Sequence, residues 1–155
     1  MVFPYTTLPN TPPRPYVSVI LRNGFRTAPK VVALVDSGCD RVIFPMEIAV
    51  DFLQLDLSKA VKWSFYGIGK EKTLHTAKLA DVRLSVLCED DITQAFEASL
   101  TCAFCDTFEF PEAGAVLGRE GFFTGFKITF YQPYKYFEME PFQPRITPAT
   151  GLHRQ

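Results

Sequence analysis

The sequence predicts an all-β fold, and three observations carry that expectation. From Tyr16 the pattern alternates, so that Val17, Val19 and Leu21 share one face before Asn23-Gly24 supplies the residues of a tight hairpin turn. The run Val31-Val32-Ala33-Leu34-Val35 has strand length and near-continuous apolarity, the pattern of a strand buried on both faces. Further short strands at regular spacing, separated by turn-forming clusters, describe a barrel or a sandwich. A chain of 155 residues buries a sizeable core without staples, so one domain is expected.

Residues 1–15 contain Pro4, Pro9, Pro12, Pro13 and Pro15, which fix backbone angles and remove donors. This stretch reads as an extended arm lying along its own domain or a second copy; Pro12-Pro13-Arg14-Pro15 also has the form of a polyproline ligand. The domain proper is placed at 16–131. Within it, Pro29 and Lys30 lead into the Val31–Val35 strand, and Met46 to Leu53 reads as a short helix followed by the Gln54-Leu55-Asp56-Leu57 connector. Trp63-Ser64-Phe65-Tyr66-Gly67-Ile68-Gly69-Lys70 reads as a hairpin with a glycine-softened tip. Thr73 to Leu79, Val82 to Leu87 and Leu100 to Phe104 read as strands, punctuated by Glu89-Asp90-Asp91 and by Phe108-Glu109-Phe110-Pro111-Glu112. Gly118 to Gly125 is expected to form one short helix, with the strand Phe126–Phe130 behind it. In the C-terminal strand and tail, 132–155, Tyr136-Phe137-Glu138-Met139-Glu140 alternates like an edge strand, and prolines follow.

Composition excludes several functions. Charged residues make up 21% of the chain and the net charge is −1, so no basic footprint for nucleic acid is present. No apolar stretch approaches the roughly 20 residues that span a bilayer, and Met1-Val2-Phe3-Pro4-Tyr5 lacks a signal-peptide layout, so no membrane partner and a cytoplasmic location are expected. Cys39, Cys88, Cys102 and Cys105 are too few for a disulfide framework and are expected as free thiols. Cys102-x-x-Cys105 has the spacing of half a zinc site, but no second pair completes it and neither His75 nor His153 lies at a ligand spacing. Gly67-Ile68-Gly69-Lys70 lacks the third glycine and the following helix of a phosphate-cradling loop. No metal and no cofactor are expected.

One motif asks for a chemical reason. Asp36-Ser37-Gly38 follows the apolar Val31–Val35 run directly and precedes Arg41-Val42-Ile43-Phe44-Pro45. A carboxylate at the end of a buried strand is costly unless something pairs with it, donates to it or shares its proton. The plainer alternative is a turn-forming Asp that binds the following backbone N–H groups. Some 80 residues on, Ala115-Val116-Leu117-Gly118-Arg119-Glu120-Gly121 repeats the apolar-apolar-Gly pattern, with the Trp63–Lys70 hairpin in between.

Over residues 16–131 this ordered set resembles the retropepsin family of single-domain, retroviral-type aspartic proteases. The resemblance implies a closed acid-protease-type barrel with one short C-terminal helix, assembled as a homodimer, and an aspartic endopeptidase acting on peptides or proteins. Peptide hydrolysis by this chemistry needs two carboxylates facing one water, and the sequence holds no second Asp-Ser/Thr-Gly, so the catalytic Asp36 requires its counterpart from a second copy. By resemblance, Ser37 braces the paired loops, and Gly38 admits close backbone approach. Arg119 pairs with Asp40, in a largely buried bridge whose one-sided loss costs on the order of 3–5 kcal/mol. Tyr66, Gly67, Ile68 and Gly69 form a flap over the substrate. Family members also interleave terminal strands between subunits, which would give Phe137 and Met139 a partner surface. Two rival readings remain: a catalytically weak dimeric peptide- or protein-binding module on the same fold, and a structural barrel subunit in which Asp36 is only a turn residue.

Overall fold

The computed structural model describes residues 1–67, 73–107 and 113–142. Among them lie eleven strands: β1 (Val2–Pro4), β2 (Tyr16–Asn23), β3 (Arg26–Thr27), β4 (Val31–Val35), β5 (Ile43–Pro45), β6 (Lys62–Tyr66), β7 (Leu74–Leu87), β8 (Gln94–Cys105), β9 (Ala115–Leu117), β10 (Phe126–Tyr131) and β11 (Tyr136–Pro141). Six close into a barrel in the order β2-β4-β9-β5-β8-β7, because β7 pairs back onto β2. Closure leaves these six strands no unpaired edge. β3 extends β2 as a hairpin through Gly24 and Phe25, and β6 hangs on the outer part of β7. The all-β expectation and the barrel are therefore met.

Alternation places the core. Val17, Val19 and Leu21 of β2 are buried together with Ala33, Val35, Leu84, Val86, Cys102, Phe104 and Leu117. β4 is flanked by β2 on one side and β9 on the other, but Val32 and Leu34 are only half-buried, so one of its faces is partly open rather than both being covered. The two strands expected at Thr73–Leu79 and Val82–Leu87 are one 14-residue strand, β7. Ala80-Asp81 carries no turn-forming glycine or proline, and β8 pairs continuously alongside from Lys78 onward. β7 exchanges its other neighbour along the way, pairing with β6 from Leu74 to Lys78 and with β2 from Arg83 to Val86.

Helix is nearly absent among the described residues. The segment expected at Met46–Leu53 is a short helical turn whose Ile48–Phe52 part is wound as a π-helix, with Leu53 N–H donating to Ile48 O at 3.0 Å. The helix expected over Gly118–Gly125 does not form. Gly121 has φ of 100°, outside helical backbone, and the segment closes as a string of turns with Thr124 N–H donating to Arg119 O and Gly125 N–H to Phe122 O. No helix among the described residues is long and apolar enough to cross a membrane.

The arm and the tail meet in a second, three-stranded sheet ordered β1-β11-β10. β11 is thus central, not an edge strand, and Phe137 and Met139 are completely buried within one chain instead of awaiting a partner. Phe137 stacks on Phe3 at 5.3 Å and lies 6.0 Å from Phe130. Removing its ring leaves a cavity lined by those neighbours, so Phe137→Ala is expected to lose about 3–5 kcal/mol in denaturant unfolding. Because the contacts lie within one chain, the loss is independent of protein concentration.

Candidate functional site

Asp36 begins the turn that leaves β4. Its N–H donates to Leu117 O at 3.1 Å, its Oδ1 accepts from Gly38 N–H at 2.8 Å, and its carbonyl accepts from Cys39 N–H at 3.2 Å. The carboxylate is half-buried, while Ser37 and Gly38 are exposed at the tip. One carboxylate oxygen therefore organises the turn, as the plainer sequence alternative expects.

The turn has to pass around the end of β9, which lies between β4 and β5, parallel to the first and antiparallel to the second. Gly118 makes that passage feasible. A Cβ at Gly118 would come within 2.3 Å of Arg41 O and 2.6 Å of Cys39 O, so only glycine lets the two backbones touch. Two further bonds lace the segments together, Arg119 N–H to Cys39 O at 2.9 Å and Glu120 N–H to Asp40 O at 2.7 Å.

Side chains repeat the lacing. Arg119 pairs with Asp40, and Arg41 pairs with Glu120 at 2.6 Å. The Asp40–Arg119 pair is not the buried bridge expected from the resemblance: the two side chains are 63% and 59% exposed. Water screens such a pair, so its contribution falls to about 0–1 kcal/mol. Neither Arg41 nor Glu120 was assigned a role from sequence. A signal was available in the two doublets Asp40-Arg41 and Arg119-Glu120, which are charge-reversed and cross-pair when the segments lie side by side.

Facing the turn, the β6–β7 hairpin presents Trp63 and Phe65, which are two residues apart and so share a face. Their rings stack at 4.6 Å, Phe65 stacks on His75 at 5.3 Å, and the Arg41 guanidinium lies 5.5 Å over Trp63. His75 Nδ1 is also 3.0 Å from Thr107 Oγ1. A small cleft of about 90 Å³ separates Gly38, Asp40 and Ile43 from Trp63, Phe65 and Tyr66. Of the expected flap, Tyr66 therefore lies beside the acidic turn, Gly67 follows it with its N–H donating to Thr73 O, and Ile68 and Gly69 fall outside the described residues. A larger cavity of about 280 Å³ sits under the N-terminal arm, between Phe3, Leu8, Tyr16 and Cys88, and contains no part of the turn.

Cys39 Sγ donates to Arg41 O at 3.2 Å. Burial pushes its thiol up, and the charges of Asp36 and Asp40 add to this, while a backbone hydrogen bond from Arg41 and the Arg119 charge oppose it. Cys102 and Cys105 are both buried, and their odd spacing on β8 sends them to opposite faces, into separate clusters, so they share no ligand. No group of metal-holding side chains occurs among the described residues. No protein-family model matches the chain, and no curated protein matches it significantly.

Arg119→Ala is expected to cost no more than about 1 kcal/mol in chemical denaturation. Gly118→Ala, which forces two backbones apart, should cost about 1–3 kcal/mol or more in the same measurement. Since a raised thiol holds less thiolate at neutral pH, iodoacetamide is expected to alkylate Cys39 more slowly than a free cysteine at pH 7, with the rate climbing as pH rises.

Proposed function

We propose that this chain is a retropepsin-like aspartic endopeptidase that works as a homodimer. The observation that carries the reading is Asp36 itself, a half-buried residue on a turn bonded at both ends to the Gly118 segment, whose following residues Gly38 and Asp40 line a cleft walled by a β-hairpin. Asp40 is committed to Arg119, whereas Asp36 has no ion-pair partner among the described residues and spends one oxygen on the Gly38 N–H, so the turn provides one unpaired carboxylate per chain. The second then comes from a second copy, and the exposed tip at Ser37 and Gly38 leaves room for that approach.

In this arrangement the two Asp36 carboxylates hold one water and share one proton, as is general for aspartic peptidases, because adjacent like charges cannot both ionise. The ionised member takes a proton from water as its oxygen attacks the scissile carbonyl carbon. The protonated member gives its proton to the carbonyl oxygen. Collapse of the tetrahedral diol moves a proton to the departing amide nitrogen and restores the dyad. An extended peptide lies beneath the hairpin, which adds strand-like hydrogen bonds and excludes bulk water. Ser37 braces the paired turns. The enzyme works in the cytoplasm, where Cys39, Cys88, Cys102 and Cys105 remain thiols.

The test is hydrolysis of a mixed peptide library from acidic to neutral pH, alongside Asp36→Asn and a statine-type inhibitor, with the assembly state followed by sedimentation. Turnover by a dimer, reduced at least about a hundred-fold in Asp36→Asn, is expected. Inhibitor binding without turnover would identify a peptide-binding module instead, and a monomer at high concentration would defeat both.

A further inference from the structure

The hairpin does not reach the acidic turn by its tip alone. Trp63, Phe65 and Leu79 from its two strands pack with Cys39 of the turn against Ile43, Ala77, Ala103 and Cys105, a cluster separate from the barrel core. At the margin of that cluster stands Arg41. Its backbone belongs to the turn, its guanidinium covers Trp63, and its charge is anchored by Glu120 across the β9 end. One side chain thus touches three segments distant in sequence.

We infer that Arg41 is a positioning residue that latches the β6–β7 hairpin onto the acidic turn and so sets the width of the cleft between Trp63 and Phe65 on one side and Gly38 and Asp40 on the other. A planar guanidinium suits this place, since it can lie flat on an indole while its edge hydrogen-bonds a carboxylate. Lysine, a point charge, can satisfy only one of those contacts at a time. Glu120 fixes the guanidinium at 2.6 Å, so the hold on Trp63 depends on a carboxylate that belongs to a third segment. The effect on substrate rests on the peptidase reading; the latch itself does not.

Trp63 is the one tryptophan of the chain, so its fluorescence reports the contact directly. Acrylamide quenching is measured on the full chain without ligand, in the parent, Arg41→Ala, Arg41→Lys and Glu120→Lys. Losing such a contact shifts the hairpin's opening equilibrium about two- to five-fold, so quenching is expected to rise in Arg41→Ala and to recover only partly in Arg41→Lys. Glu120→Lys keeps the guanidinium but repels it from its anchor, and should raise quenching in the same direction. With a cleavable peptide, KM is expected to rise in Arg41→Ala and Glu120→Lys with kcat nearly unchanged, since the hairpin grips ground state and transition state alike. Unchanged quenching in Arg41→Ala overturns the inference. So does a rise confined to Arg41→Ala with none in Glu120→Lys, because the guanidinium would then merely shade the ring. Glu120 is exposed, so its replacement leaves the fold intact and the decision available even where Arg41→Ala is unstable. If the parent neither cuts peptide nor binds the statine inhibitor, the peptidase reading falls while the quenching still decides the latch.

Discussion

The contact of Gly118 with the carbonyl oxygens of Cys39 and Arg41 is the constraint on which the site depends. β9 lies between β4 and β5, two strands that follow each other in the chain, so the connection between them must travel around the end of a third. With any side chain at that point the turn would ride outward, and the bonds Asp36 N–H to Leu117 O and Arg119 N–H to Cys39 O would lengthen together. The backbone carries the precision. The exposed charge pairs along the same seam add direction more than energy.

Two apolar clusters then divide the labour. β8 supplies both, since Cys102 and Phe104 face the barrel interior while Ala103 and Cys105 face the hairpin side. β5 does the same with Phe44 and Ile43. A displacement on the hairpin side is therefore passed to the barrel through shared backbone, with no chain of side-chain contacts needed. The small residues Ala77 and Ala103 let the hairpin strands sit close to the turn, which the bulkier barrel positions would not allow.

Much of the barrel was legible because period-two patterning survives in a single sequence. Val17, Val19 and Leu21 point inward as their spacing requires, and a hairpin turn follows them one residue later than Asn23-Gly24 suggests, at Gly24-Phe25, with Asn23 paired to Arg26. The misreadings have physical causes. A glycine-bounded run at Gly118–Gly125 with adjacent phenylalanines resembles a short helix, but the positive φ of Gly121 is a tertiary demand that the local pattern leaves open. Tyr136–Glu140 alternates as an edge strand does; whether both its sides are paired depends on where residues 2–4 lie, more than 130 positions earlier. At the site, the charges of Asp40 and Arg119 were readable but not their exposure, and the ring stack from Arg41 to His75 joins four positions whose proximity only the register of β6 on β7 creates.

That register has a consequence of its own. β6 ends the sheet order among the described residues, so its outer side has no strand partner there, the circumstance in which strands slide. Here sliding by one position would turn Trp63 and Phe65 to water and swing Lys62, Ser64 and Tyr66 toward Ala77 and Cys105, setting an ammonium and hydroxyls in an apolar niche. Sliding by two would carry Phe65 off His75 and leave Arg41 without its indole. The aromatic column thus acts as a ratchet pawl on an otherwise slippery margin, letting a five-residue border strand keep a single alignment with no strand on its far side among the described residues.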